Sequence, residues 1–549
     1  MRLGGSQTVS PIAGADATGL LSPTSSRVEA LKRENLELRC QSNYWKAQHA
    51  RAVDRIQELE KEKVELTARI KYLEAQLYGR KTEKNSRSER NSEPQISTPA
   101  GEAPKKARGQ QPGRPGHGRK GYPELPVIEE MHDLKDSQKV CPRCGKPYTP
   151  FPGTEDSELI EIEVKAYKRK IRRVRYRAEC SCEGTAGIIS ASAGGKLIPR
   201  STLGISVWEL LLVEKYLYQR PLNKCLESLR TYGLNIPAGT VVGGFQKLAG
   251  LFDPLMQLLV EKNRSETHWH CDETRWAVFQ LTEEKRSFRW YLWLFKSQST
   301  VVYLMDPRRS AEVVGGHLGQ LEEGILSVDR YSAYKAFAKN RPHVRLAFCW
   351  THVRRDFLNT AQCFPSLKSW SDEWVQLIGE LYHRNALRCQ AREDRQEFQA
   401  QDKLLRKALR GMKKRLRDEL GEQKADADRQ KVLESMNKHW KGLQVFVDHP
   451  EIPIDNSEAE RLLRAAAVGR KNYYGSGAIW SAEFAAMMFS LFHTLLLWGI
   501  NPRQWLHEYL CDCARFGGTP PPDVSRYVPW QMSKTRRVIL SRQVSESQR

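Results

Sequence analysis

The chain lacks any uninterrupted apolar run long enough to cross a bilayer. The best candidate, Phe484 to Ile500, is broken by Ser490, His493 and Thr494, so it reads as a helix buried in a folded core. Its first residues carry no apolar segment of the kind an export signal needs, which predicts a cytoplasmic setting without membrane partners. Cysteine is sparse, with 12 residues scattered through 549, and that spacing excludes a small disulfide-stapled secreted fold. Acidic residues are outnumbered by basic ones, 65 to 88, for a formal net charge of +23. An excess of that size points to a polyanionic partner, because Lys and Arg gain affinity by displacing counterions from phosphates. Nucleic acid is the expected partner.

Several segments are present in the length this allows. Residues 1–26 are rich in Gly, Ser and Thr without periodicity and read as disordered. Over 27–78 a seven-residue spacing takes over, through Leu31, Leu38, Trp45, Ala52, Leu59, Leu66 and Leu73. Ile56, Ile70 and Leu77 occupy the complementary position, while Asn35, Ser42, His49 and Lys63 interrupt it. A period of seven keeps one seam facing a partner helix, so this predicts a coiled coil and a dimer or larger assembly. Residues 79–125 form a basic linker, with 11 Lys or Arg against 4 Glu between Arg80 and Lys120. It serves equally as a plain tether or as a strap along a phosphate backbone.

The region 126–195 reads as a zinc-finger-like module. Cys141-Pro-Arg-Cys144-Gly has the spacing of a metal-binding knuckle, and Cys180-Ser-Cys182 offers a second, tighter thiolate pair. Four thiolates suit a tetrahedral structural Zn²⁺. Lys168 to Arg177, between the pairs, reads as a basic strand. Residues 196–262 read as helical; Pro221 to Thr240 has the form of helix, Gly-containing turn and helix, fitting a helix-turn-helix or an ordinary helical hairpin equally well.

From 263 the pattern becomes strands. Thr267 to Phe279, Arg289 to Phe295 and Thr300 to Met305 predict an antiparallel meander. A helix over Ser310 to Gly319, a strand Gly324 to Asp329 and a strand Leu346 to Trp350 follow. That order is the order of a ribonuclease-H-like α/β core, occupying 263–362. It places Asp272 in the first strand and Asp329 at the end of the fourth, as neighbours. Residues 363–450 read as a charged helical insertion with Leu404, Leu405, Leu409, Met412, Leu416 and Leu420 on one face. Residues 451–512 supply a helix with a third acid and the end of the core, and 513–549 a C-terminal tail. Clustered carboxylates are what metal-assisted phosphodiester chemistry requires, and hard ions such as Mg²⁺ or Mn²⁺ select oxygen ligands. Cys271 and Trp269, Trp276, Trp290 and Trp293 are expected in the core.

Longer motifs carry a family resemblance. They are Leu77-Tyr-Gly-Arg-Lys-Thr-Glu-Lys84, the Cys141/Cys144 knuckle, Lys215-Tyr-Leu-Tyr-Gln-Arg-Pro-Leu222 and Asp272-Glu-Thr. Val328-Asp-Arg-Tyr-Ser-Ala-Tyr334, Cys349-Trp-Thr-His-Val-Arg-Arg-Asp-Phe357, Asp455-Asn-Ser-Glu-Ala-Glu-Arg461 and Gly469-Arg-Lys-Asn472 complete the set. In this order they resemble the insertion-sequence 66 family of bacterial transposases, from about Leu31 to Leu510. The resemblance implies an Asp-Asp-Glu transposase that cuts and joins DNA with two metal ions held by Asp272, Asp329 and Glu460. It favours Glu460 over Glu458 because Arg461 follows it, and gives Asp455 the part of a helix cap or outer-shell acid. It implies Mg²⁺ or Mn²⁺ at the acids and structural Zn²⁺ at Cys141, Cys144, Cys180 and Cys182, the last pair departing from the family spacing.

The implied partners are transposon ends and target DNA on the bacterial nucleoid, together with accessory proteins of the same element. Arg461, Arg464, Arg470 and Lys471 follow the third acid, where phosphates of a DNA end would pass, and Arg354 and Arg355 with His352 follow the last core strand. Two rivals remain: a non-catalytic zinc-containing DNA-binding regulator, which leaves the acids unexplained, and a nuclease that hydrolyses without joining.

Overall fold

The computed structural model describes residues 23–78 and 194–541 apart from 284–286 and 423–425, together with 127–129, 131, 133–139, 141–148, 159–160, 164–177, 179, 186 and 188–190. The glycine- and serine-rich N-terminal residues, the basic linker and both Cys180 and Cys182 lie outside the described residues. Two compact units are distinguished, 1–81 with 170–549, and 82–169; each is described by itself.

The heptad segment is one helix, α1 (Pro23–Tyr78). Along it Leu31, Leu38, Trp45, Ile56, Leu59, Leu66 and Ile70 are exposed to solvent. In the smaller unit, Cys141 closes the expected knuckle. Its N–H donates to the Lys146 carbonyl at 2.8 Å, and Gly145 N–H donates to the Cys141 carbonyl at 2.9 Å. Gly145 has φ +68°, a left-handed turn that glycine makes without a Cβ clash. Of the basic segment Lys168 to Arg177, only Arg175–Arg177 is a strand, β1, paired antiparallel with β2 (Ile188–Ser190); the charged residues before it belong to no helix or strand.

The core is α+β. Helices α2 (Ile205–Leu212), α3 (Leu222–Thr231) and α4 (Ala238–Arg264) precede a mixed sheet. The turn between α3 and α4 contains Gly233 at φ +79°, and α4 starts two residues ahead of Thr240. The sheet strands are β3 (His268–Val278), β4 (Arg289–Lys296), β5 (Val301–Asp306), β6 (Gly324–Val328) and β7 (Val344–Phe348). Their order is β5-β4-β3-β6-β7, with β3, β4 and β5 an antiparallel meander and β6 and β7 parallel to β3. Helix α5 (Ala311–Leu318) joins β5 to β6, and α6 (Ser332–Ala338) joins β6 to β7. The tryptophans expected in the core are there: Trp269, Trp276, Trp290 and Trp293 are all buried, as is Cys271.

After β7 come α7 (Trp350–Cys363), α8 (Lys368–Gln390), α9 (Arg395–Leu420), α10 (Ala427–Leu443) and the short α11 (Val445–Asp448). Leu405, Leu409, Met412 and Leu416 of α9 are buried as their spacing predicts, but Leu404 is exposed. One residue is 100° around a helix, so Leu404 falls outside the stripe that its neighbour Leu405 begins. Helix α10 lies so close to β7 that a Cβ on Gly442 would sit 2.6 Å from the Leu346 carbonyl oxygen.

Helix α12 (Ser457–Tyr473) then returns to the sheet. It ends at Tyr474, φ +64°, and Gly475, φ +153°, after which β8 (Gly475–Ser476) pairs parallel with β3. Any side chain at Gly475 would strike the Ala277 carbonyl, so this glycine is what lets the chain touch down there.

Helix α13 (Ile479–Leu497) contains the polar interruptions Ser490, His493 and Thr494, and they have a use. Strand β5 is a sheet edge, and its Val301 and Tyr303 N–H groups donate to the Thr494 and Ser490 hydroxyls at 3.0 and 2.8 Å. The helix thus satisfies an edge that would otherwise stay open. It is long and apolar enough to cross a membrane by composition, but 67% of its most apolar stretch is buried inside the protein, as in a core helix. Helix α14 (Pro502–Arg515) follows.

Candidate active site

Strand register brings the first two acids together. In the parallel pairing of β3 with β6, His268 faces Ile325 and His270 faces Ser327. Extended by two residues, the same register sets Asp272 level with Asp329, which follows directly after β6. The apolar run Gly324–Val328 is wholly buried, as expected of a strand flanked on both sides, and Asp329 is where it emerges. There Asp329 Oδ1 accepts the Tyr331 N–H at 2.8 Å, turning the chain towards α6.

Successive side chains of β3 point to opposite faces. His268, His270, Asp272 and Thr274 share the face crossed by α12, whose buried Ala459, Leu463, Ala466 and Gly469 form its sheet side. Cys271 and Glu273 lie on the other face. Glu273 accepts from Arg309 at 2.6 Å and from the Tyr334 hydroxyl at 2.7 Å, so the acid adjoining Asp272 is committed to an internal pairing. Nothing in local periodicity marks that pairing, which spans β3, α6 and the β5–α5 turn.

Burial pushes the Asp272 carboxyl well above the usual carboxylate range, with Glu273, Asp329 and, more weakly, Glu460 adding to it; only the Glu273 N–H opposes the shift. The charges of Asp329 and Glu460 thus both bear on Asp272, and all three side chains are half-buried. A divalent cation fits this donor set: the ligand atoms are hard oxygens, and positive charge relieves the repulsion that raises Asp272.

Glu460 lies in the first turn of α12, beside α7. His352 Nε2 is 3.6 Å from one of its oxygens and Arg355 Nη2 is 3.7 Å from the other. His352 is pushed down to about 4 by burial and by Arg355, so it meets Glu460 as a neutral ring at neutral pH. Among the described residues, Cys349, His352 and Glu460 form the one group of potential metal-ligand side chains whose donor atoms all lie within 4.8 Å of one another. Cys349 is fully buried and its thiol is raised to about 11 by that burial.

Glu458 points elsewhere. It pairs with Lys296 of β4 at 2.9 Å and faces His270 at 3.4 Å. Two residues along a helix is a rotation of about 200°, so Glu458 and Glu460 cannot serve the same point. Asp455 receives the Ser457 N–H at 3.0 Å and the Tyr382 hydroxyl at 3.1 Å, but it lies one residue ahead of the cap position of α12, which Asn456 occupies.

Of the six basic residues expected at DNA, Arg461, Arg464 and Lys471 are exposed on the outer side of α12. Arg470 turns inward, donating to Thr274 Oγ1 and the Arg275 carbonyl on β3 at 3.2 and 2.5 Å. Arg355 is turned towards Glu460, and Arg354 is half-buried on α7. In the smaller unit, N–H groups of Arg143 and Cys144 pull the Cys141 thiol below its ordinary range.

Comparison with known proteins gives one family. The profile described as "Transposase IS66 family" matches residues 200–484, more than half of the chain and a span that holds Asp272, Asp329 and Glu460. Similar curated proteins include uncharacterized protein y4jD of Sinorhizobium fredii (strain NBRC 101917 / NGR234), 28% identical over 69% of this chain and 75% of its own length. Uncharacterized protein y4qI of the same organism is 23% identical over 77% of this chain and 79% of its own length. No solved structure matches.

Proposed function

Because the chain belongs to the transposase IS66 family, we propose that it is an Asp-Asp-Glu transposase acting on the ends of a bacterial insertion sequence. What supports this reading is the placement of Asp272 in β3, Asp329 directly after the neighbouring parallel strand β6, and Glu460 in the first turn of α12, which packs on β3. The strand order β5-β4-β3-β6-β7, with an antiparallel meander and two parallel strands, supports a ribonuclease-H-like core interrupted by a helical insertion.

In this reading Asp272, Asp329 and Glu460 hold two Mg²⁺ or Mn²⁺ ions. When bound, such ions activate an attacking oxygen and stabilise the leaving one in phosphodiester cleavage and strand transfer. The protein's own part is positional. Asp272 and Asp329 are fixed by strand register, and Glu460 approaches from α12. No side chain serves as a nucleophile; water and then the freed 3′-hydroxyl of the DNA take that part. Arg461, Arg464 and Lys471 line the outer side of the same helix and are assigned to DNA phosphates, whereas Arg470 and Arg355 act inside the protein. Arg354 is assigned to DNA with less geometric support. The exposed seam of α1 supports assembly of two or more copies as a coiled coil. Cys141 and Cys144 are assigned to a structural Zn²⁺.

The test compares Glu460→Gln with Glu458→Gln on labelled duplexes carrying the ends of the encoding element, with Mg²⁺. Losing one metal-holding acid removes several kcal/mol of transition-state stabilisation, roughly a thousandfold in rate. Glu460→Gln is expected to show that loss, and Glu458→Gln to stay within about tenfold of the parent. Equal activity of the two variants would remove Glu460 from the site. Binding of end DNA without nicking by the parent chain, with accessory proteins supplied, would favour the regulator.

A further inference from the structure

The third acid sits in the first turn of a helix, the part most prone to fray, yet metal-assisted chemistry tolerates little displacement of a ligand. A polar network beneath that turn supplies the missing rigidity. Asn456 holds the cap position of α12, but its side chain makes no capping bond. Its Nδ2 donates instead to the Cys271 carbonyl, one residue before Asp272, at 2.8 Å. That fixes the amide, so Oδ1 faces His270 and accepts from its Nδ1–H at 2.8 Å. The Asn456 backbone N–H donates to Cys349 Sγ, just past β7, at 3.2 Å.

Two residues further on, Glu458 is drawn to Lys296 of β4 and to the far side of His270. The His270 ring packs against His268 at 4.8 Å, and His268 bonds Ser327 of β6 at 2.8 Å. Asn456, His270, Lys296 and Ser327 are all buried. The network therefore ties the start of α12 to β3, β4, β6 and the end of β7, the elements that carry or flank the other two acids.

Resting on the assignment of Asp272, Asp329 and Glu460 as the metal-holding acids, we infer that Asn456, His270 and Lys296 are positioning residues that set the distance of Glu460 from Asp272 and so the affinity of the site for divalent cation. None of them touches DNA or metal in this account. Their side chains act by locating the helix that bears Glu460. A group whose only use was to fill the core would alter stability without altering metal dependence.

The experiment uses the full chain and Mn²⁺ as the probe. Variants Asn456→Ala, Lys296→Met, Lys296→Arg and Asp329→Ala are compared with the parent for thermal melting, for Mn²⁺ binding by loss of the free-ion paramagnetic resonance signal, and for the Mn²⁺ concentration that half-saturates end cleavage. Asn456→Ala is expected to raise that concentration at least about tenfold, and Lys296→Met about threefold, with Lys296→Arg close to the parent. Lys296→Met leaves every Asn456 bond in place, so it remains informative if Asn456→Ala folds poorly. Folded variants with parental Mn²⁺ binding would overturn the inference while Asp329→Ala loses Mn²⁺. Retention of Mn²⁺ by Asp329→Ala would instead sink the assignment of the acids, and the inference with it.

Discussion

Asp272→Asn is expected to stabilise the protein in the absence of divalent metal while abolishing its chemistry. The folded carboxyl is raised above its unfolded value by burial and by Glu273, Asp329 and Glu460. A carboxyl raised on folding binds its proton more tightly in the native state, so native stability falls as pH rises from the unfolded value, near 3.9, through the raised one. Above that window the charged form is carried at a cost, which the neutral amide removes. Mg²⁺ offsets the same cost in the parent by binding the native state alone. Melting in chelator at neutral pH should therefore be higher for Asp272→Asn than for the parent. Added Mg²⁺ should raise the parent's melting temperature and leave the variant's unchanged. Cleavage of end DNA should fall roughly a thousandfold. A variant that melts lower than the parent in chelator would mean that Asp272 is paired with a cation of the protein, contrary to this account.

Arg388→Met is expected to be the most damaging change outside the acids. Arg388 is fully buried in α8. One nitrogen donates to Asp402 at 2.9 Å and the Val447 carbonyl at 3.0 Å; another donates to Asn385 at 2.9 Å and the Phe446 carbonyl at 2.7 Å. Methionine fills much of the volume but leaves a carboxylate and two buried carbonyls without that donor. Removing one partner of such a pair costs roughly 3–5 kcal/mol. Denaturant unfolding of the folded core should register it. The residues it grips, Phe446 and Val447 in α11, lie just upstream of buried Ile452 and Ile454 and of Asn456. End cleavage should therefore weaken even at temperatures where the variant remains folded. A loss under about 1 kcal/mol would show that water enters and takes over those bonds.

What the sequence discloses and what it hides divide along a physical line. Asp329 was legible because a five-residue apolar run that ends on an acid can only be a buried strand reaching a surface. Asp272 was legible from alternation in a long strand, and the tryptophans from their bulk. The polar stripe in α13 was read correctly as an interruption, but its purpose, closing the edge of β5, depends on residues nearly two hundred positions away. The role of Asn456 is hidden for the same reason. Before a helix an asparagine signals a local cap, whereas this one spends its amide across 185 residues on Cys271. Arg388 sits in a segment that looks like a solvated charged helix, and only tertiary packing buries it. Arg355 and Arg470 are basic residues in a basic chain, and no spacing rule says that they turn inward. Local pattern reports a residue's own element and face; it is silent on which distant group that face meets.

The most direct measurement of the central claim follows the fate of a labelled strand. Full-length protein is incubated with Mg²⁺, duplexes carrying the element's ends labelled on the strand to be transferred, an unlabelled target plasmid and any accessory proteins the element encodes. A transposase gives label covalently joined to the plasmid, resistant to protease and denaturant, and Asp329→Ala gives none. Label that is nicked but never joined would identify a nuclease, and joined product from Asp329→Ala would contradict the assignment of the acids.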